Sequence, residues 1–153
     1  MHRSVRRPGT MAMNWDITTV ELRVRYAETD QMGVAYHTHY LVWCEVARTD
    51  HMRRRGVSYR ELEAQGMRLA VVEARVRYRQ PARYDDRLGV RCWVREVGSR
   101  KVAFGYAIER LEDATLLATA ETSLIALDPQ HRPRVLPASV RERLAAVPDP
   151  VPL

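Results

Sequence analysis

The sequence predicts an α+β fold in which one curled antiparallel sheet wraps around a single long helix. Three observations lead there. Residues 40–47, "YLVWCEVA", hold seven apolar side chains in eight positions, so the helix they begin has no polar face to offer solvent and must be enclosed. The segments on either side of that helix alternate apolar and polar residues with the period of a strand. The later segments are separated by short turn sequences such as "GSR" and "LEDA", the connections of an antiparallel sheet.

In chain order, residues 18–26 place Val20, Leu22, Val24 and Tyr26 on one side of a half-buried strand and Glu21, Arg23 and Arg25 on the other. The apolar run from Tyr40 continues through "RTDHMRRRG" for more than sixteen residues without a breaker. That length favours a helix over a buried strand. Gly56 suits its C-terminal stop, and Arg53, Arg54 and Arg55 complement the negative end of its dipole. Glu45 is the one acid in the apolar run and is expected to pair with Arg48 or with a neighbouring subunit. Ser58 opens a short helix with Glu61 in the capping-box position and Gly66 at its end. Strands are expected at 69–78, 88–97, 101–110 and 115–127. In the first of these Ala70, Val72, Ala74, Val76 and Tyr78 oppose Glu73, Arg75 and Arg77. A terminal helix is expected at 137–147, with proline at its start. One domain over residues 16–148 follows, preceded by a flexible tail at 1–15.

The chain has 153 residues, 46% of them hydrophobic, which suits a single globular domain and excludes a disordered chain. The formal charge is +6, but half of that excess sits on Arg3, Arg6 and Arg7 in the tail. The remaining arginines are interspersed with acids, so no nucleic-acid partner is expected. No segment reaches the 18 apolar residues or so of a membrane span, and the N-terminus lacks the apolar core of a secretory signal. Cys44 and Cys92 lie in apolar runs and form neither a disulfide framework nor a metal spacing. They read as buried thiols in a reducing compartment, and the expected location is cytoplasmic.

The stretch "AETDQMGVAYHTHY", residues 27–40, connects the first strand to the long helix and concentrates chemistry. It carries Asp30, Gly33, Tyr36, His37 and His39. Three readings are open: a hydrolytic site, a metal site, and ordinary capping and packing. Hydrolysis needs an oxygen nucleophile or base together with fixed donors aimed at the developing oxyanion. An acid one short loop before a helix N-terminus, with its unpaired N–H groups, satisfies both needs. Gly33 lets the backbone turn and come close to a substrate. For a metal, His37 and His39 lack a third ligand at a convincing spacing, so neither a metal nor another cofactor is expected.

These residues carry a resemblance. "VRYAETDQMGVAYHTHYLVWCEVARTDHMR", supported by "RYRQPARYDDRLGV" and "EVGSRKVAFGYAI", resembles the hotdog-fold acyl-CoA thioesterases of the 4-hydroxybenzoyl-CoA thioesterase-like family over residues 18–136. It departs at His39, where the family usually has asparagine, and at Cys44, where an aromatic residue is common. The resemblance implies hydrolysis of an acyl-CoA thioester. Asp30 matches the family's catalytic carboxylate, and the backbone N–H of His37 matches the group that polarises the carbonyl. Gly33 and Tyr36 complete the candidate catalytic set. It also implies a homodimer or homotetramer. Ser99, Arg100 and Lys101, the only lysine, are candidates to hold the phosphates of coenzyme A. Two rivals remain: a hotdog hydratase or dehydratase using Glu45 or Asp50, and a non-catalytic acyl-CoA-binding protein.

Overall fold

The computed structural model describes residues 16–153, so the expected tail at 1–15 lies outside the described residues. Five strands form one sheet: β1 (Ile17–Arg23), β2 (Arg68–Tyr78), β3 (Arg87–Val97), β4 (Lys101–Arg110) and β5 (Thr115–Leu127). Their order is β1-β3-β4-β5-β2, and every pairing is antiparallel. The long helix α1 (His39–Arg54) leaves the β1 side of the sheet and lies across its concave face, followed by the short α2 (Tyr59–Ala64). A last short helix, α3 (Ala138–Arg143), follows the sheet.

The strand alternation decides what the sheet buries. On β4, Val102, Phe104, Tyr106 and Ile108 point at α1, and Leu88, Val90, Cys92 and Val94 do so on β3. They meet Tyr40, Trp43, Cys44, Ala47 and Met52 of α1 in one apolar core. Within that core a short polar chain runs from Arg48, whose Nη1 donates to the Tyr106 hydroxyl at 3.3 Å, to Thr122, whose Oγ1 bonds that hydroxyl at 2.6 Å. The charge of Glu45 also acts on the Arg48 guanidinium and favours its charged form. On the convex face the Trp93 indole lies flat over Gly105, where an added Cβ would sit 2.5 Å from the ring. Only glycine permits that approach.

Two boundaries and two burial patterns differ from expectation. The first strand stops at Arg23 because the chain enters a 3-10 turn at Tyr26–Glu28, which throws Tyr26 out to 78% exposure. On β2 the register slips between Val71 and Glu73. This strand is the sheet's edge, so Val71 and Val72 are about half exposed instead of half buried. The terminal helix ends at Arg143, and the chain then runs out beside β3, where Val147 N–H donates to the Val94 carbonyl at 3.0 Å. The enclosure expected for α1 is one-sided: Val42 and Val46 are each 47% exposed, on the face turned away from the sheet.

Candidate active site

The segment from Glu28 to His37 folds back on itself at the mouth of α1. Tyr36 N–H donates to the Glu28 carbonyl at 2.8 Å, Asp30 N–H to Val34 at 2.9 Å, and Gly33 N–H to Asp30 at 3.0 Å. Gly33 sits at φ +76°, and a Cβ there would meet nothing within 4 Å. Its role is thus the left-handed turn and not a close approach. A second segment, the run past the end of β2, stitches this loop in place. Ala35 N–H donates to the Ala82 carbonyl at 2.8 Å, and Ala82 N–H donates to the buried Tyr40 hydroxyl at 3.0 Å.

Asp30 is half-buried. Its Oδ1 accepts from Met32 N–H at 2.9 Å, and no described group donates to Oδ2. Helix α1 starts without a side-chain cap: its N-cap residue, Thr38, is already in the helical conformation and its hydroxyl caps nothing. The backbone N–H of His37 has no partner among the described residues. The His37 carbonyl is held by the Tyr78 hydroxyl, which donates to it at 2.7 Å. Asp30, His37, Tyr40, Tyr78 and Arg79 line one cleft of about 330 Å³. A carboxylate oxygen with no competing donor, an open helix N-terminus and an apolar-walled cleft together allow attack on a carbonyl whose oxygen rests against the helix.

Tyr36 lies just outside the cleft, its ring packed edge-on against His37 at 4.5 Å and His39 at 6.2 Å. His39 turns inward, its Nδ1 4.0 Å from Glu28 Oε2. Among the described residues no three His, Cys, Asp or Glu side chains are placed to hold a metal ion. Glu45 and Asp50 line a different groove, between α1 and β1, where Asp50 is tied to Arg54 at 2.8 Å. Glu73 is exposed at the β2 bulge. Cys44 and Cys92 are buried and free. Burial pushes the Cys44 thiol up to about 12, against a small opposing pull from Arg48.

Ser99, Arg100 and Lys101 are not brought to this cleft by the chain's own fold. Tyr78 pairs with Ala118 at one end of β5, whereas Lys101 pairs with Ile125 toward the other. At about 3.3 Å per residue those positions are roughly 23 Å apart along the strand. Conversely, Tyr78, Arg79 and the following loop join the site unannounced. The alternation of residues 69–78 shows which way Tyr78 faces but not that the end of this strand meets the start of α1.

The sequence pattern of the thioesterase-like superfamily matches residues 24–151. The chain is 34% identical over 129 residues to YbgC of Escherichia coli, named an acyl-CoA thioester hydrolase, across 84% of this chain and 96% of that one. Among solved structures it superposes on a DHNA-CoA thioesterase from Staphylococcus aureus with a TM-score of 0.75 and 34% identity, covering 78% of this chain and 80% of that one. A protein from Thermus thermophilus gives a TM-score of 0.78 and 37% identity, over 84% and 95%. No helix among the described residues is long and apolar enough to cross a membrane. With a family match over most of its length and a curled five-stranded sheet closed on α1, the chain belongs to the thioesterase-like superfamily and has the hotdog fold.

Proposed function

We propose that this protein hydrolyses acyl-CoA thioesters to a free acid and coenzyme A, with Asp30 as nucleophile or general base and the His37 N–H as the donor to the carbonyl. One observation carries the reading: the open Oδ2 of Asp30 and the unpartnered N–H at the uncapped start of α1 belong to the same cleft. The names of the relatives, a thioester hydrolase and a DHNA-CoA thioesterase, point to the same substrate class.

The thioester carbonyl oxygen rests against the His37 N–H and the positive end of α1, which stabilises the charge that builds on that oxygen. In the base route Asp30 takes a proton from water as the water oxygen bonds to the acyl carbon. The C–S bond then breaks, the thiolate leaves and is protonated, and the acid is released. In the nucleophilic route Asp30 Oδ2 bonds to the acyl carbon, the tetrahedral adduct expels thiolate to leave a mixed anhydride, the thiolate is protonated, and water then hydrolyses the anhydride to restore Asp30. In single-turnover hydrolysis in ¹⁸O-water, label found in Asp30 establishes the second route, because the base route never bonds water oxygen to the Asp30 carboxyl carbon.

The working unit in this reading is a dimer joined through β2. That strand spans Arg68–Tyr78 at the sheet's edge, with β5 on one side only and Val71 and Val72 about half exposed. An open edge of this length is ordinarily covered or paired. Antiparallel β2–β2 pairing turns the far end of the partner's sheet toward this cleft, which is the arrangement that lets the partner subunit's Arg100 and the partner subunit's Lys101 approach the phosphates of coenzyme A. Light scattering at micromolar concentration tests the dimer, and a mass of 17.7 kDa would rule it out. The activity itself is tested by coenzyme A release from a panel of aromatic, short, branched and medium-chain acyl-CoAs, followed with a thiol reagent. Release from at least one class is expected. Binding without release from any of them would favour a non-catalytic acyl-CoA-binding protein.

A further inference from the structure

We propose that Glu28 is the positioning residue of this site, its carboxylate pinning the base of the Asp30 loop to the second turn of α1 so that Asp30 and the His37 N–H keep their mutual placement. The inference rests on the thioesterase reading and adds a residue to it. Glu28 is 3% exposed, in the 3-10 turn two residues before Asp30. Its Oε1 accepts from Arg25 N–H at 2.8 Å and faces Arg25 Nε at 3.4 Å. Its Oε2 accepts from the indole Nε1–H of Trp43 at 2.8 Å, with His39 Nδ1 at 4.0 Å. Its own carbonyl accepts from Tyr36 N–H, closing the loop. The Glu28 side chain thus ties the chain at Arg25 to the buried face of α1, while its main-chain carbonyl holds the far end of the loop at Tyr36.

A buried carboxylate is costly unless its oxygens are satisfied. Burial alone pushes the Glu28 carboxyl up, but the hydrogen bonds from Arg25 N–H and Trp43, with the Arg25 guanidinium, outweigh it and hold the group below the usual carboxylate range. The site therefore holds a buried carboxylate whose partners sit on the two elements that must be aligned. His39, where the resembled family usually has asparagine, places its Nδ1 4.0 Å from the same carboxylate.

Glu28→Gln keeps the volume but replaces one acceptor oxygen with an NH2 group, so it cannot accept from both donors. Trp43→Phe removes one donor and leaves the anion short. Each single variant is expected to lower kcat about tenfold with KM within about twofold, since small misplacements cost turnover more than binding. In the absence of substrate, hydrogen exchange at the Asp30 and Gly33 amides should accelerate at least about tenfold in either variant as the loop opens. Wild-type kcat and exchange in both variants, or a rise confined to KM, overturns the proposal. If Glu28→Gln does not fold, Trp43→Phe decides alone by the same two readings. Exchange needs no turnover, so a wild type inactive on every acyl-CoA would end the thioesterase reading and leave the role of Glu28 to the exchange result.

Discussion

The Tyr78 hydroxyl donates to the main-chain carbonyl of His37 at 2.7 Å, joining the last residue of β2 to the entrance of α1 across 41 positions of sequence. The bond fixes the peptide that follows His37, and so the direction in which the helix N-terminus opens. Burial pushes the Tyr78 hydroxyl above its ordinary value, with Tyr40 and Cys44 adding to the effect, so it stays a donor throughout the working pH range. Tyr78→Phe removes the donor at a half-exposed position where water can replace it. A stability loss of about 0.5–1.5 kcal/mol is expected, with kcat lowered about threefold to tenfold because the peptide is no longer oriented. Chemical denaturation and steady-state kinetics measure the two. Unchanged kcat would mean that the bond serves only the fold.

Gly33 can be tested through stability alone. Its φ is +76° and no atom lies within 4 Å of where a Cβ would sit. Alanine therefore costs only the strain of the left-handed conformation, about 1–2 kcal/mol. In a protein of this size that lowers Tm by roughly 2–8 °C. Asparagine, which visits this conformation more readily, should cost less than alanine. Thermal melts of the two variants give the comparison, and equal Tm values for alanine and wild type would contradict the assigned turn.

Much of this architecture is legible in the sequence because it depends on local pattern. The strand-like runs 101–110 and 115–127, joined by the turn sequence "LEDA", match β4 and β5 to the residue, and the apolar run from Tyr40 predicts α1 to within one residue at its start. Asp30, Gly33 and His37 are close in sequence and share one loop, so the part of the cleft lined by Asp30 and His37 is local in the chain. What escapes depends on long-range placement. The Tyr26–Glu28 turn is set by the burial of the Glu28 carboxylate under Trp43, fifteen residues away. The half-exposure of β2 follows from its edge position, which alternation does not encode. The placement of Ser99, Arg100 and Lys101 follows from strand order and register. The outgoing chain beyond Arg143 has no periodic signal, yet Asp149 anchors it to β3.

That anchor is testable by pH. Asp149 Oδ1 accepts from Trp93 Nε1 at 2.9 Å and from Arg95 Nε at 2.8 Å, and Oδ2 accepts from Arg95 Nη2 at 2.8 Å. Burial raises its carboxyl, but the bonds from Arg95 and Trp93 more than offset this and leave it below the ordinary 3.8. A depressed folded-state value adds stability that is fully present above the unfolded value and is lost as pH falls through the folded one. Asp149→Asn should therefore be less stable than wild type by on the order of 1 kcal/mol at pH 7, with the gap closing below about pH 4. Denaturation curves across pH 3–7 check the sign, and a gap that widens on acidification would contradict it.

Asp30 bears the chemistry of the proposed reaction, so its substitution is the most direct test. Asn at this position keeps the shape and the acceptor for Met32 N–H but can neither attack a carbonyl nor take a proton from water. On the acyl-CoA that wild type hydrolyses best, Asp30→Asn is expected to lower kcat by ~10²-fold or more, with the melting temperature and oligomeric mass of wild type. A folded Asp30→Asn protein that keeps most of its kcat would contradict the assignment of the site.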